Sequence, residues 1–138
     1  MEELSASPVE REDVDVMFLR TRLDADEMKQ AWEQLERVAG TRGRKFFGAY
    51  DTKTGEYRVC AAQRDDDDPA TLGLETGTLP GGRYLRARLR GEPPGLYERI
   101  GPAFDVLSSS AQPDHTRPSI EFYGRRDEVD LLLPVAGE

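Results

Sequence analysis

Hydrophobic and polar residues alternate in two short segments of the chain that closely resemble each other. Phe18–Leu23 and Tyr84–Leu89 are identical at four of six positions, and both begin with an aromatic residue. In the first segment the alternation places Leu19, Thr21 and Leu23 on one face, which is the period of a strand with one packed face. Each segment is followed by a helical pattern and then by two strand patterns. The chain is therefore predicted to contain an internal duplication.

The first copy continues with an amphipathic helix, predicted over Asp26–Val38. Asp24 followed by Glu27 is typical of an N-cap with its capping-box partner, and Gly40 suits the position just after the last turn. The residues that recur at helical spacing on its apolar face are Met28, Trp32, Leu35 and Ala39. This segment is therefore predicted to be a helix that packs on one side of a sheet.

Strand patterns complete both copies in the same order. The first copy ends with Phe46–Tyr50 and Tyr57–Ala61. In the second copy a helix is predicted over Pro102–Leu107, with Pro102 at its first position, where a missing N–H is tolerated. Its two strands are predicted at Ser119–Tyr123 and Val129–Val135. Each copy thus forms a β-α-β-β module.

Charged segments suggest how the chain is divided within one domain. Residues 1–13 are predicted to be an acidic flexible tail, and the like-charge run Asp65–Asp68 before Pro69 is predicted to extend as a linker over residues 65–71. Module one then covers residues 14–64 and module two residues 72–136. At 138 residues the chain has room for one core.

Composition excludes several classes of function. The net charge of −8 argues against a nucleic-acid partner, because phosphate binding needs a basic surface. The sequence holds no apolar run long enough to span a membrane, and its start lacks the features of a secretory signal, so we expect a cytoplasmic location. With one histidine, His115, and one cysteine, Cys60, the chain offers no metal ligand set, and we expect no cofactor.

Glu121 is the residue that points most directly to chemistry. It lies in a predicted strand among apolar residues, on the same face as Tyr123. A carboxylate there either stays solvated at an edge or lies in a cleft that favours a cationic guest. Asp130 in the last strand presents the same choice, so two carboxylates on neighbouring strands are possible. We expect Glu121 to line the largest pocket.

Several motifs occur in the order found in a known family. They are Leu79–Tyr84, Arg90–Gly91, Tyr97, Ile100, Ala103–Phe104, Leu107, Ile120–Tyr123 and Asp130–Val135, preceded by Phe47–Tyr50 and Tyr57–Cys60. In this order the chain resembles the GyrI-like small-molecule-binding domain, over roughly residues 14 to 135. The same domain is the effector-binding part of some multidrug-responsive bacterial transcription activators.

The resemblance implies a fold class and a site. The fold is α+β, with tandem duplicated β-α-β-β modules related by pseudo-two-fold symmetry, and antiparallel sheets with helices flanking a central cleft. Glu121 matches the central glutamate, which in relatives meets lipophilic, often cationic, guests, and Asp130 matches a second acidic position. Further cleft positions are matched by Tyr50, Tyr57, Trp32, Tyr97 and Tyr123. Some drug-binding relatives have a tyrosine where this chain has Leu132.

Three functions are consistent with this resemblance. The first is a stand-alone protein that binds lipophilic, cationic or aromatic small molecules. The second is a hydrolase of cyclopropane-bearing electrophilic toxins, in which Glu121 would be the catalytic residue that activates water. The third is a gyrase inhibitor that binds a protein partner, which no feature of the sequence supports. About a dozen residues precede the first predicted strand, so we expect no DNA-binding helix-turn-helix. Binding ranks first, and catalysis stays open.

Overall fold

A computed structural model describes residues 5–136, which form eight strands and four helices. The strands are β1 (Ala6–Arg11), β2 (Val14–Arg22), β3 (Phe46–Tyr50), β4 (Glu56–Ala62), β5 (Glu75–Leu79), β6 (Gly82–Arg90), β7 (Ser119–Arg125) and β8 (Glu128–Pro134). The helices are α1 (Ala25–Ala39), α2 (Pro69–Leu72), α3 (Gly95–Glu98) and α4 (Ile100–Ser110). None of the helices in these residues is long and apolar enough to cross a membrane.

The strands form one antiparallel sheet in the order β1-β6-β8-β7-β3-β4-β2-β5. The two copies meet at its centre, where β3 of the first copy pairs with β7 of the second. From that pair outward, β4 and β2 on one side mirror β8 and β6 on the other. Phe18 and Tyr84, which begin the duplicated segments, lie in β2 and β6 and belong to the same core cluster. The predicted α+β fold with duplicated modules is confirmed.

An additional strand precedes each module and pairs with the opposite half of the sheet. β1 pairs with β6, and β5 pairs with β2. The prediction of a flexible tail over residues 1–13 is therefore wrong for Ala6–Arg11, which form β1, while residues 1–4 lie outside the described part of the chain. The connection between β1 and β2 crosses the connection between β5 and β6, and at this crossing Gly81 donates its N–H to Asp13 at 2.6 Å. A Cβ on Gly81 would lie 2.4 Å from the carbonyl oxygen of Arg11, so only glycine fits this crossing.

Two other sequence-based boundaries change in the structure. Helix α1 spans Ala25–Ala39 with Asp24 as its N-cap, close to the prediction, but α4 begins at Ile100, before Pro102. Residues 65–71 are not an extended linker, because Pro69–Leu72 form helix α2. Asp67 is also held by Arg44, in an ion pair of 2.6 Å. The positive charge of the buried Arg44 offsets the repulsion among the aspartates of the run Asp65–Asp68, so this run does not have to extend.

The helices lie on one face of the sheet, with α1 over the strands of the first copy and α3 and α4 over those of the second. Helix α1 packs on a cluster that includes Leu35, Tyr57 and Val59. Helices α3 and α4 pack on a second cluster that includes Leu96 and Leu131. The opposite face holds a third cluster, in which residues of β2, β5 and β6 join those of β3, β7 and β8. The residues of β3 and β7 that face the helices therefore lie between the two helical layers.

Candidate functional site

Glu121 lies in the middle of β7, on the face that carries the helices. Its register partners are Gly48 on β3 and Leu131 on β8. Apolar residues flank it in β7, and only 8% of its surface is exposed. The central carboxylate that the sequence predicted is therefore a buried group and not a solvated edge residue.

Two tyrosine hydroxyls donate hydrogen bonds to the same oxygen of Glu121. The Tyr57 hydroxyl donates to Oε1 at 2.6 Å, and the Tyr123 hydroxyl donates to the same atom. Tyr57 belongs to β4, two strands away from Glu121, and reaches it across Gly48. A Cβ at Gly48 would lie 1.9 Å from the Tyr57 hydroxyl and 2.7 Å from Glu121 Oε1. The missing side chain at position 48 is what allows this hydrogen bond to form.

Aromatic rings from both helical layers pack against Tyr123, one of the two tyrosines that donate to the carboxylate. Trp32 of α1 packs edge-on against Tyr123, with ring centroids 5.3 Å apart, and also against Phe46 at 6.3 Å. Tyr97 of α3, in the second copy, also packs edge-on against Tyr123, with ring centroids 6.1 Å apart. Tyr97 is 46% exposed, so it is the part of this cover most accessible from outside. The arrangement joins rings of both copies in one aromatic cluster next to a buried carboxylate.

The electrostatics of Glu121 are those of a carboxylate without a cation. No lysine, arginine or histidine among residues 5–136 forms an ion pair with it. Burial raises the pKa of Glu121, and the hydrogen bonds from Tyr123 and Tyr57 oppose that rise. Burial and the neighbouring Glu121 carboxylate hold the pKa of Tyr57 well above its usual value, so this hydroxyl stays a donor.

Replacing Glu121 with glutamine is expected to raise the melting temperature at pH 7.5 but not at pH 4. In the unfolded chain Glu121 ionises above about pH 4.3, whereas burial raises the pKa of the folded carboxyl above that value. Its contribution to stability is therefore complete below that pH and falls as the pH rises through the folded pKa. Thermal melts of both proteins at the two pH values measure the difference.

Glu33→Gln on the exposed side of α1 is the control, since it removes one negative charge from a protein of net charge −8 without touching the site. If the melting temperature rises equally in Glu121→Gln and Glu33→Gln, the effect comes from the overall charge of the protein. A Glu121→Gln melting temperature that follows the wild type at both pH values would contradict the raised pKa.

The other predicted site residues divide between the two faces of the sheet. Tyr57 and Tyr123 contact Glu121 directly, and Trp32 and Tyr97 pack on Tyr123. Tyr50 lies on the same face in the cluster beneath α1. Asp130 is on the neighbouring strand but faces the other way, because Glu121 pairs with Leu131 and Asp130 pairs with Phe122. It binds Arg88, whose Nε donates to Oδ1 at 2.7 Å. The structure therefore does not bring Asp130 and Glu121 together.

Glu121 does not line either of two cavities at the surface of the described residues. One cavity, of about 500 Å³, is lined mainly by arginine side chains, and the other, of about 30 Å³, lies near His115. The expectation that Glu121 lines the largest pocket stays a prediction. Tyr57 and Tyr123 fill the space beside the carboxylate, because their rings must approach closely to donate their hydrogen bonds.

Gly48 and Phe46 are site residues that the sequence reasoning did not single out. Gly48 provides the space for the Tyr57 hydroxyl, and Phe46 supports Trp32 from below. A glycine in the interior of a strand pattern often marks a close approach of another group, and Gly48 in Phe46–Tyr50 carried that signal. Its consequence depended on the strand pairing, which the pattern alone does not provide.

Comparisons with known proteins give a family and several similar structures. The family described as the GyrI-like small molecule binding domain matches residues 7–136. An integron cassette protein from the mobile metagenome of Vibrio cholerae has a similar structure, with a TM-score of 0.69 and 20% identity over 95% of each chain. The structure of SAV2435 bound to tetraphenylphosphonium matches with a TM-score of 0.69 and 12% identity, over 97% of this chain and 95% of that one.

A hydrolase from Listeria innocua is also similar, with a TM-score of 0.60 and 10% identity over 99% of this chain and 94% of the other. No curated protein matches the sequence. At these identities the structural likenesses establish a shared fold.

Proposed function

Because the chain belongs to the GyrI-like small-molecule-binding domain family, we propose that it binds a lipophilic cationic or aromatic molecule in the cleft between α1 and α3. Glu121 is the central anion of this site, and the rings of Trp32, Tyr97 and Tyr123 form its walls. The observation that carries the proposal is a buried carboxylate that receives two tyrosine hydrogen bonds and no cation.

The energetics of that carboxylate favour a positive guest. Burying a charge without an opposite partner is costly, and two neutral donors offset that cost only in part. A guest cation would supply the missing charge inside a site of low polarity, where the attraction is stronger than in water. The aromatic walls add attraction between the cation and the ring faces.

Access to Glu121 requires the aromatic cover to move. The Tyr97 ring is the most exposed of the three, and it lies on α3, a helix of only four residues. A guest that displaces Tyr97, and turns Tyr123 away from the carboxylate, would take up the contacts that these rings leave. The cleft is therefore closed in the free protein and opened by its ligand.

Glu121→Gln is expected to weaken the binding of tetraphenylphosphonium by about 1.5–3 kcal/mol, or roughly 10- to 150-fold. Glutamine keeps an oxygen that can accept from Tyr57 and Tyr123 but removes the charge. A neutral aromatic compound of similar shape, triphenylphosphine oxide, should lose much less. Isothermal titration of both compounds into both proteins measures the two losses.

Asp130→Asn is the matched control, because it removes the other buried carboxylate from the adjacent strand on the opposite face. Its affinity for tetraphenylphosphonium should equal that of the wild type. Equal affinity of wild type and Glu121→Gln for the cation would show that the carboxylate does not contact the guest, and the site assignment would be withdrawn.

Hydrolysis at the same site is the second candidate function. The observation that favours it is the raised pKa of Glu121, which brings a carboxylate closer to the range of a general base at neutral pH. Incubation with a cyclopropane-bearing electrophile separates the two functions. A ring-opened hydrate formed over many turnovers, and lost in Glu121→Gln, would establish the hydrolase. Recovery of the intact guest supports binding alone.

A further inference from the structure

Three arginines lie at alternate positions of β6 and face away from the helices. Arg88 faces the same way as Asp130, its register partner on β8, and Arg86 and Arg90 flank it at two residues on either side. Alternate residues of a strand are about 7 Å apart, so the three guanidinium groups form a row. With Arg99 and the hydroxyls of two serines, they line a cavity of about 500 Å³; its lining residues are Ser5, Ser7, Arg86, Arg88, Arg90 and Arg99. We name this cavity the arginine groove.

The charge of the arginine groove is unlike that of the rest of the protein. Two carboxylates neutralise part of it, since Asp130 binds Arg88 at 2.7 Å and Glu128 binds Arg90 at 3.1 Å. Arg86 forms no ion pair with any of residues 5–136. The three arginines of β6 thus meet two carboxylates among the described residues, and Arg86 is the one left with its charge uncompensated in a chain whose net charge is −8.

We propose that the arginine groove binds the phosphate chain of a small linear polyphosphate. Guanidinium groups recognise phosphate oxygens with paired N–H donors, and the serine hydroxyls can donate to the same oxygens. No aromatic or aliphatic side chain lines the cavity, so it has no surface on which a base could stack. The arginine groove therefore recognises the phosphate groups and not an attached base. Single-stranded nucleic acid is disfavoured as a ligand for the same reason.

The ion pair between Arg88 and Asp130 orients one guanidinium group of the arginine groove. Asp130 is largely buried and accepts from both Nε and Nη2 of Arg88, which fixes the direction of that guanidinium. The remaining N–H groups of Arg88 and the whole of Arg86 are then available to an anion. This site lies on the face opposite Glu121 and does not depend on the function proposed for the cleft.

Arg86→Ala is expected to weaken the binding of inorganic tripolyphosphate about tenfold. Arg86 is the residue to change, because removing it leaves no buried carboxylate without a partner. Isothermal titration at low ionic strength measures the affinities. ATP carries a triphosphate chain with an attached nucleoside: equal or weaker affinity than that of tripolyphosphate supports the proposal, and tighter binding of ATP would contradict it, because the nucleoside would then be recognised.

Arg20→Ala is the matched control, since Arg20 occupies the equivalent position in the duplicated segment but pairs with Glu56 and Glu75. It should bind tripolyphosphate like the wild type, as should Glu121→Gln. Equal losses in Arg86→Ala and Arg20→Ala, or no saturable binding in the wild type, would overturn the proposal. Tighter binding of a uridine oligonucleotide than of tripolyphosphate would overturn it in favour of nucleic acid.

Discussion

Replacing Gly48 with alanine is expected to destabilise the protein by about 3 kcal/mol. The new Cβ would lie 1.9 Å from the hydroxyl and 2.7 Å from Cζ of Tyr57, whose ring is completely buried. The ring has no free space to move into, so the substitution forces overpacking and breaks the hydrogen bond to Glu121. Urea denaturation measures the loss in the free energy of unfolding.

A second glycine and a double substitution test this explanation. Gly101 in α4 has no atom within 4 Å of an added Cβ, and Gly101→Ala should be neutral or slightly stabilising. Tyr57→Phe removes the hydroxyl that approaches closest, so Gly48→Ala should cost less in that background. Equal costs of Gly48→Ala in both backgrounds would show that the hydroxyl is not the source of the strain.

Asp67→Asn is expected to destabilise the protein by about 3–5 kcal/mol, because it leaves the guanidinium of Arg44 buried without its anion. The Arg44 and Asp67 side chains are only 5% and 8% exposed, and two parallel hydrogen bonds of 2.6 and 3.0 Å join them. Arg44 also donates to the carbonyl oxygens of Ala39 and Ala62, so it ties the end of α1 to the end of β4. Urea denaturation is again the measurement.

Asp66→Asn is the control for Asp67→Asn, since Asp66 belongs to the same acidic run but is exposed. Its effect should stay within about 0.5 kcal/mol. The hydrogen bond from Arg44 lowers the pKa of Asp67, so the stabilisation is present above the unfolded pKa near 3.9 and is lost as the pH falls through the lower folded pKa. Similar losses in both variants would indicate a general effect of charge and contradict the role of the pair.

The sequence alone carried much of the fold. The repeat shared by Phe18–Leu23 and Tyr84–Leu89 indicated the duplication, and the spacing of Trp32 and Leu35 indicated α1 and its packed face. Alternation also placed Glu121 and Tyr123 on one side of the same strand. These features depend on residues a few positions apart, where the geometry of a helix or strand fixes which side chains share a face.

The arrangement of the site was decided by strand pairing and by the crossing of the two halves. Which face Asp130 occupies relative to Glu121 depends on the register between β7 and β8, where a shift of one residue reverses every side chain. The reach of Tyr57 across Gly48, the pairing of Asp67 with Arg44 and the arginine groove likewise join residues distant in sequence. Periodicity along one segment contains no information about its neighbour in the sheet, so the tertiary structure alone determined these contacts.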